Sequence, residues 1–298
     1  MRVDLLAGTV YGAQPMAPRP PTILVFDSGL GGLTILSELR KARPDAHFVY
    51  AADNAGFPYG RLDEEALVAR ALDVMDRLVA RHAPDLVVVA CNTASTLVLP
   101  HLRRRFSMPF VGTVPAIKPA AALSASKRVS VLATPGTVAR DYTRDLIQTY
   151  AGDCRVTLVG SGRLAALAEA ELCGAPASDA EIGAEIAPCF VSDENGRTDV
   201  VVLGCTHYPL LLARFERLAP WPVKWLDPAA AIGRRMLQLI GEPQSREGAP
   251  NGAVAVFTSG EGLGPSLRQA LAERGLPNVA IDAMPMAARR VDNAEVGD

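Results

Sequence analysis

Two cysteines are set apart by their surroundings. Leu86-Val-Val-Val-Ala-Cys91 runs into Asn92-Thr93, and Val200-Val-Val-Leu-Gly-Cys205 runs into Thr206-His207. In both, an apolar run ends in a thiol followed by small polar residues suited to opening a helix. A comparable run ending in a glycine-bearing turn precedes each one: Asp27-Ser28-Gly29 before Cys91, and Thr134-Pro135-Gly136-Thr137 before Cys205. This is the pattern of a duplicated α/β unit with one thiol at the carboxyl end of a strand in each half. Ligands of open α/β sheets bind beyond the carboxyl ends of the strands. Two such halves facing each other would put a thiol on either side of one ligand.

That arrangement suits proton transfer at the α-carbon of a small amino acid. Taking the proton from one face and returning one to the other needs a base and an acid. Cysteine can be either, with an ordinary pKa of about 8.5 that a helix N-terminus or a nearby cation lowers. The half-reactions run in opposite directions, so the two thiols must exchange roles and near-identical settings are expected. Asp27, at a strand end, can orient the ammonium or tune Cys91, and His207 can do the same for Cys205. Amides and hydroxyls around Ser28, Asn92, Thr93, Thr137 and Thr206 can hold carboxylates at helix N-termini.

A single cysteine after a buried strand is usually only a small apolar residue; two in matched contexts argue otherwise. Cys154, Cys173 and Cys189 lack that context and read as packing or surface residues. His47, His82 and His101 have no companion group. Gly29-Leu30-Gly31-Gly32 is a poor dinucleotide loop, because Thr34 stands where a third glycine belongs and no Walker lysine follows. Pro58-Tyr59-Gly60 by itself reads as a turn. No metal-ligand cluster is visible, and no lysine is placed for a Schiff base; Lys118 reads as a surface helix residue. Neither metal nor pyridoxal is expected.

Elements that could position such a site are legible. Short Val-, Ile- and Leu-rich runs recur at 22–26, 47–52, 85–90, 128–134, 155–159, 199–204 and 253–258. Their length, without strict alternation, suits strands buried on both faces of a parallel sheet. Between them lie helical patterns. The clearest starts at Asp63 as N-cap, puts Leu67, Val68, Ala71, Met75, Leu78 and Val79 on one face, and stops near His82 and Pro84. Alternation of this kind implies an α/β fold with helices on both sides of the sheet. The chain has 298 residues, 49% hydrophobic and 21% charged, with a net charge of −2, which speaks against nucleic acid or an anionic membrane as partner. The basic triplet Arg103-Arg104-Arg105 suits a helix C-terminus. No apolar run approaches the ~20 residues of a membrane span. Five cysteines without CxxC pairing fit reduced thiols and a cytoplasmic location. Residues 1–21 lack the features of a signal peptide and read as a disordered leader.

Taken together, these residues resemble the glutamate racemases, cofactor-independent enzymes that supply D-glutamate for bacterial peptidoglycan. The resemblance rests on Phe26-Asp-Ser-Gly-Leu-Gly-Gly-Leu33, on Ala52-Asp-Asn54 with Pro58-Tyr-Gly60, and on Ala90-Cys-Asn-Thr-Ala-Ser95. It continues through Thr134 with Gly136-Thr137 to Gly204-Cys-Thr-His-Tyr-Pro-Leu210, in order from about residue 22 to 240. It implies two pseudo-symmetric flavodoxin-like domains, each a mainly parallel sheet flanked by helices, with the site between them. The first would comprise 22–118 plus 227–290 and carry Cys91; the second, 119–226, would carry Cys205; 291–298 would be a tail. It implies Cys91 and Cys205 as the acid–base pair, with Cys91 working on D-glutamate and Cys205 on L-glutamate. Asp27, His207 and a glutamate, Glu169, would assist, although the family's Ala-Cys-Pro lead-in to that glutamate reads Gly160-Ser161-Gly162 here. Substrate contacts would come from Asp27, Ser28, Tyr59, Gly60, Asn92, Thr93, Thr137, Thr206 and His207. Family members are often dimers, so a homodimer is the expected assembly.

Rival readings remain open on the residues alone. An aspartate or hydantoin racemase would share the chemistry, since one methylene is worth only about 1–3 kcal/mol of discrimination. A malonate decarboxylase would need only one cysteine. A non-catalytic amino-acid binding protein would need no thiol, and a thiol redox protein would pair Cys91 with Cys205.

Overall fold

The structure, a computed structural model, describes residues 19–243 and 253–286. Most of the expected leader (residues 1–18) and the whole of the expected tail lie outside those residues. The strands are β1 (Thr22–Asp27), β2 (His47–Ala52), β3 (Leu86–Val89) and β4 (Phe110–Gly112), then β5 (Arg128–Ala133) and β6 (Arg155–Gly160). A two-residue hairpin, β7 (Ser192–Asp193) with β8 (Gly196–Arg197), precedes β9 (Val200–Gly204), β10 (Lys224–Leu226), β11 (Val254–Phe257) and β12 (Asn278–Ile281). Two parallel sheets result, in the orders β12-β11-β2-β1-β3-β4 and β10-β9-β5-β6.

Strand order exposes the duplication. Numbered within its own unit, each sheet reads two-one-three-four: β2-β1-β3-β4 in the first, β6-β5-β9-β10 in the second. That is the flavodoxin-like order, with β11 and β12 added beyond β2. The fold is thus α/β with two pseudo-symmetric flavodoxin-like units, each a parallel sheet flanked by helices.

The lack of alternation in the strand sequences has a direct cause. Ile23 and Val25 of β1 pack with Leu36, Leu39 and Ile232 on one face of the first sheet, while Leu24 and Phe26 pack with Leu67, Met75 and Leu78 on the other. In β9, Val201 and Leu203 face Ile182 and Phe215, and Val200 and Val202 face Ala120 and Ala121. Both faces are covered, so most positions along these strands are apolar. The helix expected from Asp63 spans Glu64–His82. Asp63 caps it, accepting from the Ala66 amide at 2.8 Å, and Ala83 ends it in the left-handed region.

One expectation is corrected. Cys91 does precede an α-helix, Asn92–Arg105. After Cys205 the chain instead makes a 3₁₀ turn, Tyr208–Leu211, before the helix Leu212–Leu218. Pro209 lies in that turn and has no N–H to offer a helical ladder. The two thiols therefore differ in their local dipole, and the second relies on side chains.

Candidate active site

Both thiols lie at the carboxyl end of the third strand of their unit, beside the end of the first strand. This is the point where strand order reverses and ligands gather. Cys91 occupies the N-cap position of the helix Asn92–Arg105. Its Sγ lies 3.8 Å from Ser28 Oγ. Burial pushes the Cys91 thiol well up, and the charge of Asp27 adds to this; the Ala94 amide and the Ser28 hydroxyl act against it.

Cys205 has a different partner. Its Sγ is 3.7 Å from His207 Nδ1, and His207 Nε2 is 2.8 Å from Glu169 Oε1. Glu169 Oε1 also accepts from the Leu30 amide at 2.7 Å, so one carboxylate oxygen ties the imidazole of the second unit to the backbone of the first. Burial opposes a charge on His207, but its bonds to Cys205 and Glu169 and the charges of Cys205 and Asp27 outweigh burial and raise the imidazole well above its ordinary value. The Phe57 ring covers the imidazole, with centroids 5.4 Å apart.

Asp27 stands behind this pair, fully buried at the end of β1. Oδ1 accepts from the Ser28 amide at 2.8 Å and Oδ2 from the Gly32 amide at 2.6 Å, while Thr206 Oγ1 lies 3.5 Å from Oδ2. Burial raises its pKa, against the pull of His207 and those two amides.

The cleft between the units is lined by Ser28, Tyr59, Gly60, Cys91, Asn92 and Thr93 from the first, and by Cys205, Thr206 and His207 from the second. Asp27, Thr137 and Glu169 are not in that lining and touch it through hydrogen bonds. Thr93 Oγ1 lies 3.0 Å from Thr134 Oγ1 and 3.4 Å from Thr137 Oγ1, closing one flank with hydroxyls. The buried Asn92 amide has no partner for either its nitrogen or its oxygen, a cost the fold carries unless a ligand repays it. The free space is only about 20 Å³, room for about one water.

Four lining residues had no assigned role in the sequence reading: Phe57, Pro58, Ala165 and Thr134. Thr134 follows β5 as Asp27 ends β1, so the duplication itself held the signal for it. Phe57 carried none; its place over His207 depends on how the two units meet. A larger groove, about 960 Å³, lies beside the helices Leu33–Ala42 and Ala229–Ile240, but its lining includes neither a thiol nor an imidazole.

Residues 34–236 match the model of the Asp/Glu/Hydantoin racemase family. The chain is 58% identical over 235 residues to the glutamate racemase of Brucella canis, covering 78% of this chain and 84% of that one. Among solved structures, it is similar to Escherichia coli glutamate racemase, which was determined in complex with L-glutamate and the activator UDP-MurNAc-Ala. The identity is 40%, with a TM-score of 0.81 over 89% of this chain and 99% of that one. Glutamate racemase from Aquifex pyrophilus is 28% identical, with a TM-score of 0.65 over 87% and 98% of the respective chains. With a matched fold, a cleft flanked by two thiols and relatives of this closeness, the chain belongs to the Asp/Glu/hydantoin racemase family and, within it, to the glutamate racemases.

Proposed function

We propose that the protein interconverts L- and D-glutamate without a cofactor, with Cys205 and Cys91 acting on opposite faces of the α-carbon. The observation that carries this reading is that two thiols, one from each unit, line a single cleft and each has its own polar partner. From L-glutamate, the Cys205 thiolate removes the α-proton. The C–H electron pair remains on the substrate as a carbanion delocalised into the carboxylate, and the Cys91 thiol donates its proton to the other face. From D-glutamate the roles exchange.

Free cysteine is only roughly a few per cent thiolate at pH 7, and burial disfavours the Cys91 anion further. The substrate ammonium brings in a cation that favours it, and the raised His207 imidazole supplies a second on the Cys205 side. Glu169 holds that imidazole, and Asp27 fixes the loop between β1 and Gly32. Ser28, Tyr59, Gly60, Asn92, Thr93, Thr137 and Thr206 are assigned to binding. The orphaned Asn92 amide supports this, since it can both donate to and accept from an amino acid.

The same reading divides the chain into 22–118 plus 227–290 and 119–226. In support, β10 closes the second sheet at Leu226 while β11 and β12 return to the first. It makes the product a source of D-glutamate for peptidoglycan, made in the cytoplasm by a homodimer. None of the described helices is long and apolar enough to cross a membrane.

The test is chiral chromatography of L-glutamate incubated with the purified, reduced protein. D-glutamate is expected to accumulate towards an equal mixture. Racemisation of aspartate but not glutamate would move the substrate, and inertness towards both would end the catalytic reading.

A further inference from the structure

One wall of the cleft is the loop bearing Phe57, Pro58, Tyr59 and Gly60, and much of what holds it comes from the far end of the chain. Asp53, which opens this loop, is wholly buried and takes four hydrogen bonds. Tyr59 Oη donates to Oδ2 at 2.6 Å and Arg70 Nε to the same oxygen at 2.8 Å. Arg70 Nη2 donates to Oδ1 at 2.5 Å and Thr258 Oγ1 to the same oxygen at 2.6 Å. A carboxylate offers about four lone-pair sites, so Asp53 has none left for a substrate, and its role is not direct chemistry.

The donors are themselves anchored. Arg70 also reaches the carbonyls of Met284 and Pro285. Thr258, just past β11, accepts from the Ala55 amide at 3.1 Å while donating to Asp53. Ser259 N donates to Asn54 Oδ1 at 2.9 Å, and Asn54 Nδ2 returns a bond to the Ser259 carbonyl at 3.0 Å. The anchors at 258–285 lie beyond residue 236, where the family match ends. Tyr59, clasped at its hydroxyl, packs its ring on Phe26 at 6.3 Å and shares a core layer with Cys91.

We infer that Asp53 is a positioning residue for racemisation: gripped by Arg70 and Thr258, it holds Tyr59 and Gly60 against the Cys91 side of the cleft, so that the C-terminal strands set the wall the substrate meets. The inference rests on the racemase reading above. The wall contacts the substrate alike in ground and transition states, so loosening it should appear in KM rather than kcat.

Thr258 is the best handle, because its hydroxyl does not line the cleft. Glutamate racemisation would be measured with the full-length wild type and with Thr258→Val, Thr258→Ser and Tyr59→Phe, with a thermal melt of each. Thr258→Val and Tyr59→Phe are expected to raise KM about tenfold, the loss of one well-placed hydrogen bond, with kcat within about twofold. Thr258→Ser should restore the wild-type KM. A lower Tm with unchanged KM in Thr258→Val, or a KM that serine does not restore, would reduce the clasp to scaffolding and overturn the inference. An inactive wild type would instead remove the racemase reading, and the inference would fall with it.

Discussion

Cys91→Ala and Cys205→Ala are each expected to lower glutamate racemisation by about 10³-fold or more, the upper range for removing a general acid or base and equivalent to ~4 kcal/mol of barrier. Both thiols are buried at equivalent ends of β3 and β9, and each variant keeps its Cβ, so the sheets should remain intact. What remains should differ between the variants. With Cys91 gone, Cys205 can still take the α-proton of L-glutamate but can only return one to the same face, so L-glutamate exchanges its proton slowly without becoming D. Cys205→Ala should show the converse with D-glutamate. Proton NMR in D2O with chiral separation checks both. Appreciable racemisation by either variant would mean that one thiol suffices.

Gly31→Ala is the second large effect expected, although Gly31 carries no reactive group. A Cβ there would sit 2.5 Å from His207 Nδ1, 2.6 Å from the His207 backbone nitrogen and 2.7 Å from Thr206 Oγ1. A side chain could swing aside, but the backbone nitrogen cannot. The loop after β1 must therefore retreat from the turn that carries Cys205 and His207, parting the two units where Glu169 joins Leu30. A displacement of about 1 Å costs on the order of 10²-fold in rate. Steady-state kinetics should show a kcat loss of that size, with little change in Gly162→Ala, where an added Cβ meets nothing within 4 Å. Equal behaviour of the two variants would show that this close approach does not matter.

How much the sequence revealed depends on what each feature needed. β1, β2, β3, β5 and β9 were legible because burial on both faces makes most of their residues apolar. β4 and β10 have three residues each, and β12 is four residues at a sheet edge with mostly exposed side chains; too few positions repeat for a pattern to form. The two thiols were legible through duplication, which places the same residue type after the same strand. The 3₁₀ turn after Cys205 was missed because small polar residues also begin α-helices, and only Pro209 argued otherwise. Glu169 was named by analogy despite an altered lead-in, and it stands 2.8 Å from His207. Asp53 stood in a segment that carried the resemblance, Ala52-Asp-Asn54, but nothing local marked its role, because Thr258 is distant in sequence and meets it only once β11 is laid beside β2.

The most direct measurement of the two-thiol account is where deuterium first appears when wild-type protein acts on L-glutamate in D2O. Proton abstraction by Cys205 and delivery from solvent-exchanged Cys91 predict that the D-glutamate formed at early times carries deuterium at the α-carbon, while recovered L-glutamate still carries protium. If the early D-glutamate retained the original proton, or if both enantiomers gained deuterium at the same rate, a single base would be doing the work and the assignment of two opposed thiols would be contradicted.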